Sequence, residues 1–223
     1  PYHNVSDSAN ISFGNPDLDP EYTNSFEMNY IKSFENHTVT SSVYYKRTNN
    51  VIQSYSWMDG NSLMRTYANM SKSNSSGFEI VMKNRFKKLS FTSSANIYYY
   101  QLEGGNFSIY ESSGNEGITR HDVSIKERNS LSWTARMAAD ITFPLDFFGQ
   151  ISGNYNAPQA IAQGKRLESY QLNASLKKSF MKKKLTATIS ARDILNSRSR
   201  KSETWSDDFE QTSDFHWNGR NIS

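Results

Sequence analysis

Leu131-Ser132-Trp133-Thr134-Ala135-Arg136-Met137-Ala138-Ala139-Asp140-Ile141-Thr142-Phe143 decides the fold, because its residues alternate in character almost without a break. Leu131, Trp133, Ala135, Met137, Ala139, Ile141 and Phe143 occupy one parity, and Ser132, Thr134, Arg136, Asp140 and Thr142 the other. Successive side chains of a strand point to opposite faces, so the stretch is predicted to be a strand with one apolar and one polar side. The same rule sets Phe26, Met28, Tyr30 and Phe34 against Glu27, Asn29, Ser33 and Glu35, and Phe78, Ile80, Met82 and Phe86 against Glu79, Lys83 and Arg85. It returns in Tyr170, Leu172, Ala174, Leu176 and Phe180, and again in Leu185, Ala187, Ile189 and Ala191, with Gln, Asn, Ser, Thr and Lys between them. A helix would gather apolar residues three and four apart, and the Thr, Val, Ile and Tyr content also favours strands. The chain is expected to be all-β.

Composition says what kind of β protein this is. Only 36% of residues are hydrophobic and mean hydropathy is -0.73, yet aromatics reach 13%. That combination suits neither a compact soluble core nor a disordered tail. It suits a membrane barrel, whose strands meet lipid on one side and water on the other. No apolar run approaches the ~20 residues of a membrane helix. Cysteine is absent, which removes disulfides, thiol catalysis and cysteine-ligated metals and is compatible with an oxidising exterior. The net charge of +3 is spread along the chain or sits at turns, without the basic stripe of a nucleic-acid-binding protein. A soluble β-sandwich also alternates, and alternation by itself leaves it open.

The connections come in two kinds that take turns. Asn36-His37, Lys87-Lys88, Pro144 to Asp146 and Met181 to Lys184 are short. Ser56 to Leu63, Gly104 to Lys126, Pro158 to Leu167 and Asn196 to Trp217 are longer and rich in Gly, Ser, Asn or charge. Short periplasmic turns and long extracellular loops are the pattern of outer-membrane barrels. Met64, Ala68, Met70, Phe78, Ile80 and Met82 keep one parity, which predicts a very long strand projecting beyond the bilayer, with room for a bulge at Asn74 to Gly77. Phe34, Phe86, Phe91, Phe143, Phe147, Phe148 and Phe180 gather near the short turns, and Tyr and Trp lie more often toward the long loops, as in interfacial girdles.

Gly14-Asn15-Pro16-Asp17-Leu18-Asp19-Pro20-Glu21, followed by Tyr22-Thr23-Asn24-Ser25-Phe26-Glu27, resembles the segment that precedes a barrel strand in TonB-dependent transporters. Gly77-Phe78-Glu79, the run Gly153 to Pro158, Gln163-Gly164 and Ala191-Arg192-Asp193-Ile194-Leu195-Asn196 resemble later landmarks of the same barrel in Bacteroidota, in the same order. The resemblance implies a barrel of about 22 strands with an amino-terminal plug. It further implies import of a scarce nutrient, such as an iron chelate, cobalamin, a glycan or a peptide, driven through TonB. On this reading residues 1–25 are an extracellular loop and strand lead-in, and residues 26–223 are the carboxy-terminal portion of the barrel. The portion is an antiparallel transmembrane barrel of about eight complete strands and the start of a ninth, too few to close. The absence of the plug and of the TonB-contacting segment, the start at Pro1 and the stop at Ser223 suggest a piece of a longer protein. Expected partners are outer-membrane lipid, the remainder of the barrel and its plug, TonB, and a surface lipoprotein, with no nucleic acid. The expected location is the outer membrane of a Gram-negative cell. A passive or structural barrel, and a soluble adhesin or carbohydrate-binding sandwich, are the alternatives.

Hidden chemistry is sparse. His3, His37, His121 and His216 lack ligand spacing, so neither a metal nor any other cofactor is expected. Asn15, Asp17, Asp19 and Glu21 space their oxygens like a calcium loop, but two prolines and a missing glycine break that pattern in favour of turn chemistry. Ser112-Ser113-Gly114 is flexible composition, and no phosphate loop or nucleophile elbow occurs. No enzyme is expected. Parity directs Glu27, Lys83, Arg85, Arg136, Asp140, Lys177 and Arg192 into the lumen, as a hydrated salt-bridged wall or as contacts to plug and cargo. Tyr55, Trp57, Tyr100 and Trp205 lie in or near the long loops, where aromatics pack or stack on ligands. Lys87-Lys88 and Lys182 to Lys184 cap short turns, facing solvent or anionic headgroups.

Overall fold

The computed structural model describes residues 3–7, 9–112, 118–182, 184–206, 208–217 and 221–222, and among them there are strands and connections but no helix. Near the amino terminus lie β1 (His3–Asp7), β2 (Asn10–Phe13), β3 (Tyr22–Ser33), β4 (His37–Asp59), β5 (Ser62–Phe86) and β6 (Leu89–Leu102). They are followed by β7 (Gly105–Ser112), β8 (Ile118–Ile125), β9 (Arg128–Phe143), β10 (Phe147–Asn156), β11 (Gln159–Ile161) and β12 (Gly164–Arg166). The last are β13 (Ser169–Phe180), β14 (Leu185–Arg192), β15 (Ser199–Trp205), β16 (Glu210–His216) and β17 (Asn221–Ile222). Pro1, Ser113, Gly114, Lys183 and Ser223, which figure in the sequence reading, lie outside the described residues.

One antiparallel meander, β3-β4-β5-β6-β9-β10-β13-β14, forms a wall, and β17 begins a further strand beside β14. The register joins the apolar parities of neighbouring strands into a single face. Met28 pairs Val43, Val43 pairs Phe78, Phe78 pairs Ile97 and Ile97 pairs Trp133. Farther along, Ala139 pairs Ile151, Ile151 pairs Ala174 and Ala174 pairs Ala191. Direct partners share a face, so a one-residue slip anywhere would turn polar residues outward. Among the described residues no second sheet covers this face: Met28 is 72% exposed and Leu131 is 68% exposed. A water-soluble sandwich would bury these side chains, and an exposed apolar surface of this breadth marks a face that meets lipid or a partner.

The face is banded. Tyr45, Tyr99, Trp133, Tyr155 and Tyr170 mark its upper edge, where Trp133 and Tyr155 stack at 4.5 Å. Phe86, Phe143, Phe147 and Phe180 mark its lower edge at the short turns. Trp133 to Phe143 and Tyr170 to Phe180 each cover a rise of about 34 Å along a strand. At a tilt of ~45° that is about 24 Å of height, the thickness of an outer-membrane apolar band. Cations sit on the lower aromatics of the same face: Lys178 Nζ is 3.9 Å from the Phe147 ring centre, and Lys32 Nζ is 5.7 Å from that of Phe34. Their stems lie along the apolar surface and their ammonium groups reach the polar boundary.

Two expectations about connections are corrected. Ser56 to Leu63 is not a long loop: the β4–β5 ladder runs on through Ser56–Arg65, Trp57–Met64 and Asp59–Ser62 to a tight turn at Gly60-Asn61, with Gly60 at φ +56°. A two-residue loop with a residue of positive φ is the turn that suits antiparallel strands. Asn74 to Gly77 holds no bulge, because β5 pairs in one register with β4 and β6 throughout that stretch; the ladder to β4 skips only Asn50, at φ +56°.

The long strand changes surroundings as it rises. Phe78 and Met82 are exposed, whereas Met64, Ala68 and Met70 of the same parity are buried. With Val51, Leu102, Ile109, Val123, Ile125 and Ala162, Ala68 and Met70 form the molecule's compact core, at the upper end where the long connections gather. These connections fold into the β7–β8 hairpin and the sheet β11-β12-β15-β16, and β2 adds to β5 in parallel at Leu63 to Arg65. The result is a canopy over an apolar-faced wall.

Candidate functional site

Of the residues that suggested barrel landmarks, Gln163-Gly164 and Gly14 to Glu21 belong to the canopy, and Gly77 to Glu79 and Gly153 to Asn156 to the wall. Gln163 is buried and treats Ser56 as a strand partner: its Oε1 accepts the Ser56 N–H at 2.7 Å and its Nε2 donates to the Ser56 carbonyl at 2.8 Å. Gly164 follows at φ +147°, and a Cβ there would stand 2.0 Å from the Glu203 carbonyl oxygen. Glycine is what lets β12 approach β15. In the Gly14 to Glu21 stretch, Asn15 Nδ2 donates to the Tyr67 carbonyl, and Asp19 and Asn69 exchange hydrogen bonds at 2.7 and 2.8 Å. Glu21 Oε1 accepts the Ile52 N–H at 2.6 Å. These hydrogen bonds clamp the segment onto the upper β4–β5 hairpin, and among the described residues no cluster suited to a metal ion occurs.

At the end of β14, Asp193 is buried at φ +51°, and its carboxylate accepts the N–H groups of Ser197 at 2.9 Å and Arg198 at 3.0 Å. Its own N–H donates to Asn173 Oδ1 at 3.0 Å. This turn fixes where the 193–198 connection leaves the wall and so where Arg198 stands. Gly77 is required by the polar face: an added Cβ would lie 2.6 Å from the Tyr44 ring and 2.8 Å from Tyr98 Cβ.

Three of the four candidate ligand aromatics pack on the canopy core: Tyr55, Trp57 and Tyr100. Tyr55 and Trp57 stack at 6.3 Å, Trp57 also meets Phe13 and His121, and its Nε1 is buried without a hydrogen-bond partner. Trp205 stands apart from that cluster, under the Arg128 guanidinium at 5.3 Å. It shares with Tyr55, Gln163 and Arg128 a cavity of about 160 Å³. The seven charged residues share the polar face. Glu27 pairs Tyr44, Lys83 pairs Thr38, Arg85 pairs Ser90 and Arg136 pairs Asn154. Asp140 pairs Gln150, Lys177 pairs Thr188 and Arg192 pairs Asn221. Asp140 also accepts a hydrogen bond from Gln150 Nε2 at 2.7 Å, and Lys177 lies over the Phe148 ring.

A larger cavity, about 490 Å³, opens where the polar face of β9, β10 and β13 meets the canopy. Tyr98, Asn154, Asn156 and Gln171 line it from the wall. Arg166, Arg198, Arg200, Lys201 and Trp217 line it from above. Lys201 is bound to Asp214 at 2.9 Å, and the hydrogen bond and charge of that carboxylate hold its ammonium pKa above the usual lysine value. Sequence reasoning missed these cations because Arg166 and the stretch from Arg198 to Lys201 lie far apart in the chain and meet only through β12–β15 pairing and the Asp193 turn. The signal was present in the density of Arg and Lys from Arg198 to Lys201. Two further hollows, of about 550 and 360 Å³, continue down the polar face past Arg136, Asn173 and Arg192.

No curated protein matches the chain. The model of the outer membrane protein beta-barrel family matches it over residues 1–223. With an apolar outer face, a polar inner face and alternating short and long connections, the chain belongs to the outer membrane protein beta-barrel family and lies in the outer membrane of a Gram-negative cell.

Proposed function

We propose that the chain is the barrel portion of a TonB-dependent receptor that imports a scarce nutrient, an iron chelate, cobalamin, a glycan or a peptide, through a plug-gated lumen. The observation that carries this reading is the canopy. Long connections are not loose here but folded on a core and pinned to the wall by Gln163, Arg65 and Asp193, over a polar face that holds a cavity. A structure built to capture cargo needs such preorganised loops, whereas a passive barrel needs only a hydrated wall. The ordered resemblance of the landmarks to those of TonB-dependent transporters points the same way.

In this reading the face of Arg136, Asp140 and Lys177 looks into the lumen toward the plug. Further strands of the same barrel cover the edges that β3 and β14 leave open, since an unpaired edge in hydrocarbon is costly. The barrel acts by binding and gating without bond chemistry. The intact receptor, in native outer membranes, is expected to co-purify with the periplasmic domain of TonB, more strongly when cargo is bound. Failure to associate with or without cell extract as a cargo source would favour the passive barrel.

A further inference from the structure

Three guanidinium groups that have no carboxylate partner among the described residues line the 490 Å³ cavity: Arg166, Arg198 and Arg200. Arg198 is held from both ends, its N–H on Asp193 and its guanidinium carbon 4.7 Å from the Trp217 ring centre. Two carboxylates of the same sheet are committed elsewhere, Asp214 to Lys201 and Glu203 to Lys165, each at 2.9 Å. The residues that line the cavity thus carry four cations and no carboxylate, with Glu168 near Lys201. A guanidinium presents paired N–H donors that match a carboxylate in the plane of its two oxygens.

The floor has a different character. Asn154, Asn156 and Gln171 offer amides, which donate and accept together and so match neighbouring hydroxyl groups. Tyr98 adds an aromatic ring for the C–H surface of a sugar, while Trp217 is taken up by Arg198 and Phe215. A volume of about 490 Å³ falls within the range of small-molecule sites. A purely apolar cargo would strip water from the cations without replacing it, and a cationic one would be repelled.

We propose that this cavity binds a carboxylate-bearing oligosaccharide, its acid groups on the arginines and its hydroxyls on the amide floor. This names the cargo class of the import reading and rests on that reading only for what happens after capture. The test is calorimetric titration of the purified full-length receptor with trigalacturonate, with its methyl ester and with inorganic phosphate. The acid is expected to bind at least about tenfold more tightly than the neutral ester, and more weakly as salt rises from about 50 mM to about 300 mM. The Arg166→Gln/Arg200→Gln variant is expected to lose at least about tenfold for the acid and nothing for the ester. That pair leaves the Arg198–Trp217 contact in place, and unchanged heat-modifiability on electrophoresis checks folding. Equal binding of acid and ester, no binding of the acid, or displacement by phosphate as effective as by the acid itself would overturn the proposal. Binding is read without an energy source, so a negative result here and a failure to engage TonB are separate outcomes.

Discussion

At the scale of single residues, the positions that stand out in the sequence hold the canopy to the wall. Gln163→Ala would leave the buried Ser56 N–H and carbonyl unpaired, a loss of about 2–4 kcal/mol for canopy docking. Faster amide exchange at Ser56 and Trp57 than in β9 would show it, and unchanged exchange would contradict the role given to Gln163. Gly164→Ala is expected to be worse, at about 3 kcal/mol or more, because backbone and not a yielding side chain blocks the new methyl. Proteolysis within 157–168 before any cut in the wall is the expected sign; equal resistance in variant and parent would refute it. Gln163-Gly164 was legible as a motif. Its reason was not, since the partner Ser56 lies 107 residues away and only folding brings the two together.

Strands were the most legible level, because period-two alternation follows from local geometry and needs no knowledge of partners. Connections were less so: Asp59-Gly60 is a tight-turn signal, but the polar composition around it reads equally well as loop. Buried and exposed portions of β5 share one parity, and nothing local distinguishes Met70 in the canopy from Met82 facing lipid. Ala138 and Ala139 provide the sharpest test of face. Ala139 pairs Phe91 and Ile151 on the apolar side, and Ala138 pairs Thr92 and Ser152 on the polar side. Ala139→Arg is expected to cost about 2–4 kcal/mol near the bilayer midplane and Ala138→Arg less than about 1 kcal/mol. Urea unfolding in lipid vesicles measures both, and equal costs would mean that β9 does not separate lipid from water.

For the whole molecule, the open edges and the single apolar face set the behaviour. Residues 1–223 produced alone are expected to aggregate or to bind detergent without heat-modifiability, while the full-length barrel shows it, because β3 and β14 each leave a ladder unfilled. A heat-modifiable, monomeric 1–223 would show that these strands can close on themselves. The cavity belongs to this scale too. Parity alone directs Arg136 or Lys177 to the polar face, but Arg166, Arg198 and Arg200 converge only after the connections have folded over the wall.

The transmembrane register itself is tested most directly on β13. Single fluorescent reporters at Leu172, Asn173, Ala174 and Ser175 of the full-length protein, in bilayers carrying lipid-attached quenchers, sample both faces within four residues. Strong quenching at 172 and 174 with little at 173 and 175 is expected of a strand between lipid and lumen. Uniform quenching, or none at any of the four, would contradict it.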